Sequence, residues 1–301
     1  MNPNIFFPIL TGLLHFSFGV YVFRLKPKQH IQGSFLILSL LLSMWLMILG
    51  FREFLPISYR NIALNITFLP ISFAPFVLYY LCSKLENPRK KIPIWAIVTA
   101  SFGQSYIVFT CISQNMATLK DPENFIFDFN ANYHILVLYL VFWVVLSIYT
   151  VTRKMVIQRG EFKVRLFLVL IGALLALPLT TLFVYFLPLL GFYKPYLSSI
   201  GLIISSIFWA VAILHYDAFR IKSGVLKGEK VTFINRLASG GFLKLLQKLD
   251  PMRFIQKRSK EKAEITKEIL IHDYNLAINR GELSVEKRAE ILSKKFGKYF
   301  K

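Results

Sequence analysis

Apolar residues along this chain are gathered into seven runs, at about 5–23, 31–50, 62–82, 92–112, 135–151, 166–187 and 197–214, with shorter polar stretches between them. About 20 apolar residues in a helix rise about 30 Å, the thickness of a bilayer's hydrocarbon core. The pattern predicts an all-α, polytopic membrane protein: a seven-transmembrane helix bundle over 1–222 and a helical cytoplasmic tail over 223–301. The fifth run is the shortest and least well defined. Pro8, Pro70, Pro75 and Pro178 fall inside runs, where each kinks a helix and frees a carbonyl that a neighbour must satisfy. The simpler consequence is a packing bend; the alternative is a cavity.

The connecting stretches set the threading. Stretches 24–30, 83–91 and 152–165 carry twelve Lys and Arg residues, whereas 51–61, 113–134 and 188–196 carry four. The positive-inside rule then puts the N-terminus outside and the C-terminus in the cytoplasm. Residues 1–23 contain no Lys or Arg, so the first run reads as an anchor rather than a cleaved signal peptide. The longest outer stretch, 113–134, mixes Asp121, Glu123 and Asp128 with Phe125, Phe127 and Phe129. Its alternation suits a short strand or a flap over the bundle mouth, but an amphipathic connector is the favoured expectation.

Charge changes the picture mainly in the tail. Only 17% of the chain is charged, against about 25% for a soluble domain, and mean hydropathy is +0.53. Of the 36 Lys and Arg residues, 20 fall in 215–301, together with 10 of the 16 acids. Beside a membrane anchor such a basic segment points to the anionic inner leaflet, not to nucleic acid. Over Val231–Leu249, Phe242, Leu245, Leu246 and Leu249 are spaced i, i+3, i+4, i+7, with Arg236, Lys244 and Lys248 among them as membrane-surface residues. Asp250-Pro251 interrupts this helix. A charged helix over 256–280 carries Ile265, Ile269, His272 and Leu276 on one stripe. Ser284 caps a last helix whose seam is Val285, Ala289, Leu292, Phe296 and Tyr299. The last two helices could form a hairpin, pack on the loops, or pair with another chain in a homo-oligomer.

Candidate chemistry is sparse. His15 is the one strongly titratable side chain deep in a run; it could sense protons or bind a ligand, or simply donate to a neighbouring helix. The threading gathers Asn61, Asn65, Thr67, Thr180, Thr181, Tyr185, Ser198 and Ser199 in the outer half of the bundle. With His15, the set Asn65, Thr67, Thr180, Tyr185 and Ser199 could line an outward-facing ligand pocket, or serve as interhelical glue. Gly201 and Ser205 are a small-residue packing pair. Cys82 and Cys111 end successive runs on opposite faces, too far apart to pair. No phosphate loop, zinc-protease, nucleophile-elbow or CxxC pattern occurs, so neither a catalytic residue, a metal nor a cofactor is expected.

Leu197–Ile221 resembles the end of the seven-helix sensor region at the N-terminus of many bacterial histidine kinases and some diguanylate cyclases. In that family the last span leads into a stretch of the type aromatic-x-Leu-Phe-Asp-Ile. The matching residues here are Tyr216-Asp-Ala-Phe-Arg-Ile221, with Ala218 and Arg220 departing from the pattern. The resemblance implies a sensor or receptor-like module of the bacterial inner membrane. It would relay a stimulus to a cytoplasmic kinase or cyclase partner, since no output domain follows. His272-Asp273 resembles a kinase phospho-acceptor pair, but 29 residues after His272 are too few for an ATP-binding domain, and a surface histidine is the expectation. The alternative function is a small-solute transporter or channel, which the lack of an internal repeat disfavours.

Overall fold

All seven apolar runs are helices in the computed structural model, which describes residues 3–25, 30–87, 89–214, 233–279 and 283–297. By contact the chain divides into two units, one of Met1–Ile157 with Leu166–Leu214, the other of Gln158–Arg165 with His215–Lys301.

The first unit is built from α1 (Pro3–Arg24), α2 (His30–Phe51), α3 (Arg60–Lys84), α4 (Ile94–Ile112), α5 (Ala131–Ile157), most of α6 (Glu161–Thr181) and α8 (Ser198–Leu214). All seven are long and apolar enough to cross a membrane. Their outward faces carry Phe102, Phe109, Ile112 and Leu138, each more than two-thirds exposed. Inside sit Thr11, His15, Ser39, Ser43, Ser147 and Ser205. Apolar side chains outside and small polar ones at helix contacts suit helices solvated by lipid. Helices α1 and α2 approach closely enough for Ser43 Oγ to donate to Gly12 O at 2.8 Å.

Helix α5 corrects an expectation. It spans 27 residues rather than the short 135–151 run. Polar side chains with local partners extend it at both ends. Asn130 Oδ1 accepts from Tyr133 N at 3.0 Å as an N-cap, and Lys154 Nζ donates to Cys82 O and Ser83 O at the end of α3. Cys82 and Cys111 are free and buried, as expected.

The connector expected over 113–134 is instead a two-stranded antiparallel hairpin, β1 (Thr118–Asp121) and β2 (Ile126–Asp128), with a bulge between Leu119 and Asp121. Its turn is closed by Asp121, whose carboxylate accepts from Glu123 N and from the backbone and side chain of Asn124. Lys120 and Asp128 form an ion pair across the strands. Met116, Ala117, Phe125 and Phe127 are buried against the bundle, which is why the alternation FIFDF is a lid rather than a solvated loop.

Helix α6 widens into a π-helical turn over Leu182–Phe186 and ends with the short α7 (Leu187–Leu189). Gly191, at φ +86°, closes it: Phe192 N donates to Leu187 O and Gly191 N to Pro188 O. That pairing needs a left-handed residue, which glycine supplies without strain.

In the second unit, α9 (Phe233–Leu249), α10 (Pro251–Asn279) and α11 (Val285–Phe296) follow in order. Of the alternatives for the last two, the structure takes the hairpin. The His272 and Phe296 rings meet at 6.0 Å, and Arg288 pairs with Asp273 at 3.5 Å. Ser284 caps α11, accepting from Lys287 N. On α9, Phe242 and Leu246 are buried, so half of the apolar stripe expected to face lipid is occupied within the protein. Lys244 and Lys248 are exposed, while the Arg236 side chain lies outside the described residues. The 158–165 segment belongs here through Gly160 N, which donates to Asp250 Oδ2 at 2.7 Å, and through the Lys257–Glu161 ion pair at 2.9 Å.

Candidate binding site beneath the hairpin

The polar residues singled out in the sequence do not converge on one pocket. His15 lies between α1 and α8: its Nδ1–H donates to Thr11 O at 2.9 Å, and its Nε2 accepts from Ser206 Oγ at 3.0 Å. Both nitrogens are thus used, and the ring works as the interhelical tie the sequence allowed. Ser199 Oγ donates to Tyr196 O, a local cap at the start of α8.

Asn65 and Asn61 hold the hairpin. Asn65 Oδ1 accepts from Met116 N and Ala117 N, and its Nδ2 donates to Ala117 O and Asn61 O. Asn61 Oδ1 accepts from Leu119 N. Two amides one helical turn apart on α3 therefore pair with the backbone leading into β1, which a helix alone leaves unpaired. Arg60 adds the turn: its guanidinium donates to Pro122 O, Glu123 O, Leu55 O and Glu53 O.

Under this lid runs an aromatic cluster. Phe127 meets Phe68, Tyr133, Tyr193 and Phe129, and Tyr133 stacks on Tyr185 at 6.1 Å. Tyr185 OH is 2.8 Å from His134 Nδ1. Tyr133 OH donates to Val184 O at 2.7 Å. The residue four positions on is Pro188, which has no N–H to offer that carbonyl.

Two cavities flank the cluster and share Val184. The deeper, about 100 Å³, is apolar, lined by Leu42, Ile71, Leu78, Val141 and Trp209 with Thr180, Thr181 and Tyr185. Thr180 Oγ1 is buried there with no partner. The other, about 40 Å³, lies beneath the hairpin and is lined by Trp45, Arg52, Glu53, Thr67, Phe125 and Tyr196 among others. Of the sequence candidates, Thr67 borders this one and Thr180 and Tyr185 border the deeper one, so the pair of cavities recovers three of the six.

Arg52 is the residue that sequence reasoning missed. Its place in 51–61 makes it one of the outer-loop charges, yet it is only 5% exposed. It sits in a 3₁₀ turn that continues α2 (Arg52–Phe54), which folds it back into the bundle mouth. The available signal was its position one residue past the last apolar residue of α2, directly before Glu53-Phe54. Phe125 covers it with its ring centroid 4.4 Å from the guanidinium carbon. Phe125 holds φ at 52°, a left-handed value that costs a bulky residue about 1–3 kcal/mol.

Matches to this chain are absent among protein-family models, among curated proteins and among solved structures. Among the described residues no three His, Cys, Asp or Glu side chains are grouped as metal ligands. The juxtamembrane stretch Tyr216–Ile221, which carries the sensor resemblance, lies outside the described residues.

Proposed function

We propose that this chain is a multi-pass protein of the bacterial inner membrane that acts as a receptor-like sensor. Its ligand is held under the outer hairpin, and its tail passes the resulting shift to a cytoplasmic kinase or cyclase partner. The carrying observation is the lidded cavity. The hairpin is pinned to α3 through Asn61 and Asn65, and its rings run from Phe127 to the π-helical turn of α6. A ligand that moves the lid would therefore press on α6, and α6 begins at Glu161, which ion-pairs with Lys257 of the tail. Such π-turns recur at functional positions because they shift one face of a helix. The resemblance at Leu197–Ile221 supports the same reading, as does the loop charge split for the threading.

The experiment releases the lid without needing the ligand. Spin labels on α10 of the full chain in bilayers should change their mobility when Asn65→Ala frees the hairpin. Glu161→Gln, which breaks the ion pair to Lys257 through which the shift passes, should abolish that response while leaving abundance intact. Tail labels indifferent to the lid would sink the sensor reading. The broken α6 beside an apolar cavity is the observation that favours a small-solute transporter instead. Solute uptake into proteoliposomes, unaffected by tail removal, would select it. Reporters after Lys301 and within 113–134 test the threading; an external report from 152–165 would reverse it.

A further inference from the structure

Arg52 and Arg60 flank the same lid residue but differ in what holds them. Arg60 lies 5.1 Å from the Phe125 centroid and its guanidinium donates to four carbonyls. Arg52, more deeply buried, makes no side-chain hydrogen bond and no ion pair within the described residues, and its Nε is enclosed without a partner. Glu53 lines the same cavity, half-buried and close enough for its charge to act on Arg52, but no hydrogen bond or direct ion pair joins the two. A buried cation with unmet donors is a strongly unfavourable arrangement unless an anion completes it.

We propose that the cavity beneath the hairpin binds the carboxylate of a small apolar acid, with Arg52 as its counter-ion. Three observations define the ligand. Phe125 covers one face of the guanidinium, so the donors left open lie in its plane, where a planar carboxylate pairs through two parallel bonds. The space is about 40 Å³. A single water needs about 10–15 Å³ on that measure, so the space admits a carboxylate together with part of an apolar body. The rest of the wall is Trp45, Leu49, Leu64, Phe68 and Val184, which suits a hydrocarbon or aromatic body, and Val184 is also a wall of the deeper apolar cavity. This names the ligand class for the sensing site but does not depend on signalling: a carrier would use the same chemistry.

The test titrates the full chain in nanodiscs with benzoate, its neutral isostere benzamide, and inorganic phosphate, following Trp45 emission and calorimetric heat. Benzoate should quench saturably and bind at least tenfold tighter than benzamide. Trp45→Phe should remove the optical signal but not the heat. Arg52→Gln should erase the preference for the charged probe. Arg52→Lys, which keeps the charge but not the planar fork, should retain part of it and guards against a folding defect in the first variant. Equal binding of benzoate and benzamide, or no binding of either to the native chain, overturns the proposal. Competition by phosphate as strong as by benzoate would do the same, and would indicate that Arg52 reads phosphate or a lipid headgroup. Benzoate binding that leaves the tail labels unmoved would keep the carboxylate site and remove the sensor reading; tail response without benzoate binding would do the reverse.

Discussion

Tyr133→Phe removes one oxygen, and its effect can be worked out from Pro188. Tyr133 is 1% exposed and its hydroxyl donates to Val184 O at 2.7 Å. In an ordinary helix that carbonyl would accept from the N–H four residues on, which Pro188 lacks. Deleting the hydroxyl therefore leaves a buried acceptor that the i+4 position cannot satisfy. Hydrogen bonds between apolar-bundle helices average about 0.6 kcal/mol and reach about 1.7 kcal/mol. The missing i+4 donor puts this one at the upper end, so a loss of about 1–2 kcal/mol is expected. Tyr139→Phe is the control: its hydroxyl lies 3.4 Å from Ala100 O, a long bond to a helical carbonyl, and its loss should cost under about 0.5 kcal/mol. Pro188→Ala restores an N–H to Val184 O, so in that background Tyr133→Phe should become nearly neutral. The assay is a double-mutant cycle from unfolding in mixed micelles, read by circular dichroism. A coupling energy indistinguishable from zero, or equal losses for Tyr133→Phe and Tyr139→Phe, would refute the reasoning.

Three further outcomes are expected. Gly172→Val should destabilise the α6–α8 contact by about 1–3 kcal/mol, because a Cβ there would lie 2.3 Å from Trp209 Nε1 and would break the Trp209–Val169 hydrogen bond; Trp209 emission should shift to the red. Asn65→Ala strips both amide partners from the backbone entering β1, so protease should cut the hairpin turn far faster than in the native chain, and stability should fall by about 2–4 kcal/mol. Burial raises the Asp250 carboxyl, but hydrogen bonds from Gly160 N and Arg253 N, with Lys163 and Arg253 nearby, outweigh it and hold the group below its usual range. Because the folded value is depressed, its stabilisation is full above the ordinary carboxylate value of about 3.9 and is lost as pH falls below it. Hydrogen exchange at Gly160 should therefore quicken below about pH 4, and Asp250→Asn should flatten that dependence.

Seven helices were legible in the sequence because a helix that meets lipid must be apolar along its whole length, and that constraint is local. The same locality made the caps readable: Ser284 precedes its helix and binds the N–H three residues on. Helix α5 shows the limit, since its polar ends are stabilised by Asn130 and by carbonyls of α3, partners that hydropathy does not register. The candidate site lay further beyond reach. Asn61 and Asn65 looked like pocket residues or interhelical glue, yet they serve a hairpin about 50 residues away in sequence. The spacing of FIFDF was compatible with a strand, but only packing of Phe125 and Phe127 on the bundle distinguishes a lid from a solvated connector. Arg52 is the sharpest case. Sequence position makes it a loop charge; burial, the Phe125 ring above it and the absence of a hydrogen-bonded acceptor among the described residues are what support the proposed counter-ion role. Those three properties depend on which chain segments close over it, and tertiary structure alone decides that.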